Sequence, residues 1–99
     1  MLYSFEWDPH KAKQNVRKHN VAFERAAEIF IDPMAISLYD EEHSRDEDRW
    51  ITIGKNYSDD VLVVIHTFRE EDSNTCKIRV ISARKATKKE FRQYEGDKR

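Results

Sequence analysis

The stretch VLVVIHTFREEDSNTCKIRVISA, Val61 to Ala83, decides the fold of this chain. It begins with an unbroken apolar run, Val61 to Ile65, which is typical of a central strand covered on both faces. The polar segment Glu70 to Thr75 fits a hairpin turn, and Lys77 to Ala83 predicts the last strand of the sheet. The stretch therefore predicts two long strands that are joined by a hairpin.

Apolar and polar residues alternate in this last strand. Ile78 and Val80 fall on one face and Arg79 and Ile81 on the other, because successive side chains of a strand point to opposite faces. Arg79 is therefore either an exposed residue of a one-sided sheet or a functional group in a concave site.

Alternation farther upstream predicts more strands. Ile36 and Leu38 alternate with the polar Ser37, and Ile51 and Ile53 show the same alternation around Thr52. The segment Leu2 to Trp7 also has the composition of a short strand. Four consecutive strand candidates imply antiparallel pairing, so we expect a small antiparallel sheet.

Helices are predicted at both ends of the chain. Asp8 can cap a first helix that begins at Pro9, and Asn20 can end it in the left-handed conformation. A second helix should stop before Pro33. Its apolar face repeats at helical spacing and consists of Phe23, Ala26, Ala27 and Phe30.

The third helix has the clearest start signal. Thr87 and Glu90 have the spacing of a capping box, and Phe91 and Tyr94 supply an apolar stripe. The predicted order is β-α-α-β-β-β-β-α. We expect one α+β domain over residues 1–99, with two N-terminal helices and one C-terminal helix.

Charge is distributed unevenly along the chain, although the formal net charge is only −1. Residues 1–76 carry 9 Lys and Arg against 16 Asp and Glu, whereas residues 77–99 carry 9 against 3. The basic block indicates either an anion-binding face or a solvated helix. A single cysteine, Cys76, and the lack of signal-like or membrane-spanning runs predict a cytoplasmic protein without membrane contact.

The sequence gives no sign of a metal or cofactor site. Its four histidines share no metal-ligand spacing with one another or with Cys76, and no glycine-rich phosphate loop is present. His66, within an apolar strand, is expected to be a hydrogen-bonded core residue. We therefore expect no cofactor.

Basic and aromatic candidates gather in the C-terminal half, where they are Arg49, Trp50, Lys55, Arg79, Arg84, Lys85, Lys88 and Lys89. Lys88 and Lys89 fall in the first turn of the third helix, where positive charge opposes the helix dipole. Their position suggests an anionic partner, with a role in solubility as the alternative. Trp50 either packs in the sheet or stacks on a ligand.

The acidic segment Tyr39 to Trp50 is predicted to be a solvated loop. His43 and Glu47 are its candidates for proton transfer, because loops on a rigid sheet often carry function. Simple solvation of the loop is the alternative for both residues.

Four segments of the chain, in the same order, resemble the BrnT family of type II toxins. They are FEWDPHKAKQNVRKH at Phe5 to His19, F-x-x-A-x-x-I-F-x-D-P at Phe23 to Pro33, RW-x-x-I-G at Arg49 to Gly54, and IRVISARKATKKEFRQYE at Ile78 to Glu95. The chain departs from the family pattern at three positions. Asn20 replaces the usual glycine, Ala22 a capping serine, and Asp48 a glutamate.

The resemblance implies a RelE-like fold and a ribonuclease toxin that inhibits translation and growth. It also implies neutralisation by a BrnA-like antitoxin with a ribbon–helix–helix DNA-binding domain. Toxin and antitoxin together would repress their operon, so the toxin would contact operator DNA only indirectly. A homodimer and a heterotetramer with the antitoxin both stay open.

Cleavage without metal fits the available residues, with the RNA 2′-OH attacking the adjacent phosphate. Arg79 and Arg84, with Arg49 as a third candidate, could stabilise the developing charge. His43 or Glu47 could act as general base or acid. The remaining candidates would bind RNA, and they are Trp50, Lys55, Lys85, Lys88 and Lys89. The alternative is a catalytically inactive binding subunit that acts only in a toxin–antitoxin or operator complex.

Overall fold

The computed structural model describes residues 2–96 and assigns them to the α+β class that the sequence predicts. The elements within this range are β1 (Leu2–Glu6), α1 (Pro9–His19), α2 (Phe23–Ala27), β2 (Ile36–Tyr39), β3 (Trp50–Lys55), β4 (Val61–His66), β5 (Arg69–Glu70), β6 (Thr75–Lys85) and α3 (Lys88–Glu95). Two short 3₁₀ turns lie at Glu28–Ile31 and Glu41–His43. No helix of residues 2–96 is long and apolar enough to cross a membrane.

The strands form one sheet in the order β1-β6-β4-β3-β2, and the short β5 also pairs with β6. β4 lies in the middle, as its apolar run predicts, and residues 61–64 are buried. The pairs β2–β3, β3–β4 and β4–β6 are antiparallel. The predicted wholly antiparallel sheet is nevertheless wrong, because β1 pairs with β6 in parallel. That prediction considered only strands consecutive in sequence, whereas β1 pairs with the strand farthest from it along the chain.

The first helix begins and ends at its predicted positions. The Asp8 side chain accepts a hydrogen bond from the His10 amide, and Asn20 ends α1 with φ of 57°. The second helix is shorter than predicted, because the α-helical turns stop at Ala27 and continue as a 3₁₀ turn. Ala22 stands at its N-cap without a side-chain capping bond, so this helix lacks a stabilising contact that serine would supply.

The core lies on both faces of the sheet. Under α1 and α2 it consists of Val21, Phe23, Ala26, Ile29, Leu62, Val64, Val80 and Ala83. On the other face Tyr94 of α3 packs on a smaller cluster of Ile53, Val61 and Val63. Farther from this cluster, Ile65 and Ser82 are opposite each other and only half-buried. This second face is therefore covered by α3 at one end and open at the other.

The polar Asn15 and the small Gly54 allow helices to pack closely on the sheet. Asn15 of α1 is buried; its side-chain amide donates to the carbonyls of Val21 and Ala83, and its oxygen accepts from the Ala83 amide. Gly54 of β3 lies so close to the 3₁₀ turn that an added Cβ would stand 2.9 Å from Cβ of Ile29. Gly54 is thus required by packing, in the segment RW-x-x-I-G.

The third helix is fixed at both ends. Both hydrogen bonds of the predicted capping box between Thr87 and Glu90 are present. Near its end, the Tyr94 hydroxyl donates to Oδ2 of Asp32 at 2.6 Å. Burial and this hydrogen bond raise the pKa of Tyr94 to about 12. The helix is therefore held over one end of the sheet.

Candidate functional site

Three of the sequence candidates meet at the open end of the sheet. The Glu47 carboxylate forms an ion pair with Nη2 of Arg79, and it also lies 3.6 Å from Nη2 of Arg49. The exposed fractions of the Arg49, Glu47 and Arg79 side chains are 32%, 36% and 40%. We call these three residues the arginine–glutamate cluster. It places two cations around one carboxylate at a surface that solvent reaches.

The strand β6 places Arg79 at this surface. Ile78 and Val80 are buried on the helix-covered face, so the alternation of the strand turns Arg79 to the other side. The Arg79 carbonyl accepts a hydrogen bond from the Thr67 amide, which fixes the backbone at this point. The predicted opposition of Arg79 to Ile78 and Val80 is confirmed.

The loop between β2 and β3 supplies the other two members. The Arg49 amide donates to Oγ of Ser44, and its carbonyl accepts from the Asp40 amide, so the backbone of Arg49 is anchored on both sides. Its Nε atom is buried and has no hydrogen-bond partner among the described residues. A buried donor without a partner costs free energy, and an anionic ligand can satisfy it.

Two depressions meet at Glu47. The larger, of about 870 Å³, is lined by Glu47, Arg49 and His43 together with other residues of the acidic loop. The smaller, of about 290 Å³, is lined by Glu47, Arg79, Asp48 and other residues. Glu47 therefore stands between the two arginines and borders both spaces.

His43 is exposed at the rim of the larger depression. Its Nδ1 atom lies 2.9 Å from Oδ2 of Asp40, whose side chain is nearly buried. A carboxylate at this distance orients the imidazole ring and leaves Nε2 available. The structure thus places both candidates for proton transfer, His43 and Glu47, on one depression.

A β-bulge between Val80 and Ser82 interrupts the alternation of β6 and puts Arg84 on the same face of the sheet as Arg79, but Arg84 does not join the cluster. It lies opposite Val63, five positions farther along β6, which corresponds to about 16 Å between the two Cα atoms. Its guanidinium donates to both carboxylate oxygens of Glu90, at 2.7 and 2.8 Å. This hydrogen-bonded pair lowers the pKa of Glu90 to about 2.

The four candidate lysines lie at the far end of the sheet. Lys55 is paired with Val61 at the end of β3, and Lys85 is paired with Leu62 at the end of β6. Lys88 and Lys89 begin α3, and all four side chains are exposed. The structure therefore separates these lysines from the arginine–glutamate cluster, with Arg84 between them.

Trp50 is half-buried at the start of β3, where its ring and the Tyr39 ring form a T-shaped pair with 5.3 Å between centroids. It lies directly after Arg49 in the chain and opposite His66 in the sheet. The buried His66 is hydrogen-bonded on both ring nitrogens, as expected of a core residue.

Sequence reasoning did not select Phe68, which lines the smaller depression together with Asp48, one of the departures from the family pattern. Asp48 accepts a hydrogen bond from the Tyr39 hydroxyl at 2.8 Å. Phe68 is an exposed aromatic residue two positions after the buried strand β4, and that position was the available signal. Among residues 2–96 no group of three or more His, Cys, Asp or Glu could hold a metal ion.

Comparisons with known proteins identify the family of the chain. No curated protein matches the chain in sequence. The crystal structure of the ribonuclease toxin BrnT of Brucella abortus is similar, with a TM-score of 0.60 and 23% sequence identity over 89% of this chain and 100% of that chain. The match shows a shared fold. The family model described as ribonuclease toxin, BrnT, of type II toxin–antitoxin systems matches residues 7–90 of this chain. The chain therefore belongs to the BrnT family of type II toxin–antitoxin systems.

Proposed function

We propose that this chain is a RelE-like ribonuclease toxin that acts as a single domain, residues 1–99, in the bacterial cytoplasm. A BrnA-like antitoxin with a ribbon–helix–helix domain neutralises it and carries the complex to operator DNA. The observation that supports catalysis is the arginine–glutamate cluster on the open face of the sheet. Two guanidinium groups around a potential base are suited to phosphoryl transfer, in a family of ribonuclease toxins.

In the proposed reaction the 2′-oxygen of RNA attacks the adjacent phosphorus and the bond to the 5′-oxygen breaks. Glu47 accepts the proton of the 2′-OH, and His43 donates a proton to the departing 5′-oxygen. Arg49 and Arg79 donate hydrogen bonds to the non-bridging oxygens, where negative charge develops. The products are a 2′,3′-cyclic phosphate and a 5′-hydroxyl, and no step requires a metal ion.

Glu47 is the better placed of the two proton-transfer candidates to act as base. It contacts Arg79 and lies near Arg49, so a phosphate bound by both arginines would be next to its carboxylate. His43 lies on the same depression, at the exposed rim. An acid on that side can reach a leaving oxygen that projects toward solvent.

The rest of the basic surface would bind the RNA backbone. Arg84 and the exposed Lys55, Lys85, Lys88 and Lys89 extend positive charge from the cluster toward α3. Contacts of this kind depend on salt and are largely independent of base sequence. They would position a single strand along the open face of the sheet.

The direct test uses purified protein and an RNA oligonucleotide in which single 2′-hydroxyls are replaced by hydrogen. Cleavage should stop at each substituted nucleotide that precedes a normal cleavage site, and products should end in 2′,3′-cyclic phosphate with or without EDTA. Products with a 5′-phosphate, or cleavage after a 2′-deoxynucleotide, would rule out this mechanism.

A catalytically inactive binding subunit is the second candidate. Two observations favour it: the Glu47 carboxylate is paired with Arg79 and lies near Arg49, and Asp48 accepts a hydrogen bond from Tyr39. Such a subunit would bind the antitoxin and reach operator DNA through it, as a heterotetramer or a homodimer within the complex. Stable complex formation without RNA cleavage, and normal growth of cells that express the chain alone, would favour this function.

A further inference from the structure

A small cavity lies behind the arginine–glutamate cluster, on the helix-covered face of the sheet. It measures about 250 Å³ and is lined by Ser37, Trp50, His66 and Phe68. An apolar cavity of about 150 Å³ holds a benzene ring, so this space accommodates a planar heterocycle. None of the four lining residues is a carboxylate, lysine or arginine, and the cavity therefore suits an uncharged ligand group.

The donor and acceptor in each hydrogen bond around the cavity can be assigned, starting from His66. Nδ1 of His66 lies 2.9 Å from the Thr67 carbonyl, which can only accept, so Nδ1 carries the proton. Burial lowers the pKa of His66, which keeps the ring neutral at pH 7 and leaves Nε2 as an acceptor. The Thr52 hydroxyl, 2.6 Å away, donates its proton to Nε2.

Ser37 lies at the end of this hydrogen-bond chain. Its Oγ atom is 2.7 Å from Oγ1 of Thr52. Because the Thr52 proton is used on His66, Ser37 must donate its own proton to Thr52. No residue of 2–96 donates to the Ser37 hydroxyl, so its lone pairs present a hydrogen-bond acceptor to the cavity.

One aromatic side chain borders both this cavity and the depression of the proposed catalytic site. Phe68, which is 43% exposed, lines both this cavity and the depression that contains Arg79 and Glu47. Trp50, on another wall, directly follows Arg49. The Phe68 ring thus has the cavity with its aromatic walls on one side and the depression with Arg79 on the other. A single nucleotide would place its base in the first space and its phosphate in the second.

We propose that the cavity is a nucleobase subsite, in which one base of the RNA stacks on Phe68 and Trp50 and donates an N–H to Oγ of Ser37. This inference rests on the proposed ribonuclease function and gives it a source of sequence preference. Backbone contacts alone cannot provide such a preference. A side chain of the antitoxin is the competing occupant, and the test separates it from RNA.

The first measurement is the cleavage profile on an RNA library with all bases at every position. Phe68→Leu keeps apolar bulk but removes the stacking surface, and Ser37→Ala removes the acceptor. Loss of one base–aromatic stack should slow cleavage about 5- to 150-fold, and both variants should lose the base preference at one position. The matched controls, Tyr57→Leu and Ser58→Ala, change exposed residues of the turn between β3 and β4 and should keep the wild-type profile.

The second measurement does not depend on cleavage. Binding of short 2′-O-methyl RNA, which cannot be cleaved, is followed by fluorescence anisotropy while one abasic position is moved along the strand. Wild type should lose affinity at one position, and Phe68→Leu should no longer distinguish that position. This result supports the subsite even if the wild type cleaves no RNA, in which case only the proposed function fails.

Two results would overturn the inference. In the first, the wild type cleaves RNA, and Phe68→Leu and Ser37→Ala have the same base profile and the same abasic scan as the wild type. This result would exclude a base in this cavity, while the ribonuclease function stands. Normal RNA binding and cleavage with weakened antitoxin binding in the same variants would assign the cavity to the protein partner.

Discussion

The Arg79 guanidinium and the Glu47 carboxylate form an ion pair that joins the middle of β6 to the loop between β2 and β3, 32 positions apart in the chain. This contact brings a strand residue that faces the open surface together with an otherwise solvated acidic loop. The loop also contributes Arg49, whose Nη2 lies 3.6 Å from the same carboxylate. The proposed catalytic site depends on this meeting of the sheet with the loop.

Replacement of Glu47 by glutamine tests its role as general base. Glu47→Gln keeps the size of the side chain but removes the proton acceptor, so cleavage should fall about 10²- to 10⁴-fold. Binding of uncleavable 2′-O-methyl RNA should stay at least as tight, because the arginines lose a competing carboxylate. Glu24→Gln, an exposed change in α2 that lines neither depression, is the control. A parallel loss of binding and cleavage would instead indicate a structural role.

The lysines at the start of α3 are expected to act through backbone charge. The double change Lys88→Gln and Lys89→Gln should weaken binding of 2′-O-methyl RNA of any sequence. It should also reduce the slope of log affinity against log salt by about 1.4, at about 0.7 for each lost contact. Lys11→Gln with Lys13→Gln, on the exposed side of α1, should leave the slope unchanged. An unaltered slope in the first double variant would exclude these lysines from RNA binding.

The Arg84–Glu90 pair predicts a dependence of stability on pH. Because the pKa of Glu90 falls from 4.5 to about 2 on folding, the pair stabilises the fold above about pH 4.5 and loses its effect as pH falls toward 2. Glu90→Gln keeps a capping-box side chain and should cost about 1–2 kcal/mol of unfolding free energy at pH 7, after allowance for the exposure of Arg84.

Denaturant unfolding at pH 7, 4 and 2.5 measures this effect. The difference between wild type and Glu90→Gln should shrink across the series, whereas Glu24→Gln, in the first turn of α2, should show little difference at any pH. A constant difference down to pH 2.5 would contradict the assigned pair.

Asn15 is predicted to be important for stability although it is polar. Its amide makes three hydrogen bonds that connect α1 to Val21 and to β6 at Ala83. Asn15→Ala would leave buried backbone groups without partners and should cost about 2–4 kcal/mol of unfolding free energy. Gln14→Ala, one residue earlier and exposed, should change stability by less than about 0.5 kcal/mol. Equal stability of the two variants would show that water replaces these bonds.

Local signals in the sequence predicted much of the fold. The start of α1 at Asp8, the capping box of Thr87 and Glu90, and the central position of β4 all follow from residues within a few positions of one another. The parallel pairing of β1 with β6 does not, because it joins the two ends of the chain. The buried Asn15 was also not predictable, since its partner Ala83 is 68 positions away.

The candidate site shows the same distinction. Sequence chemistry selected Arg49, Glu47 and Arg79 separately, but only the tertiary contact brings them to one surface. It also grouped Arg84 with Arg79 because both lie near the same strand. The structure instead pairs Arg84 with Glu90, a partner whose capping-box role gave no sign of this second contact.

The rate of RNA cleavage by purified Arg79→Ala, compared with wild type and Arg25→Ala, tests the central claim most directly. Arg25 is an exposed arginine of α2, paired with Glu28 and outside the proposed site. Loss of one donor to the developing charge should slow cleavage by Arg79→Ala about 10²- to 10³-fold, while Arg25→Ala keeps the wild-type rate. Equal rates for all three folded proteins would contradict a catalytic arginine–glutamate cluster.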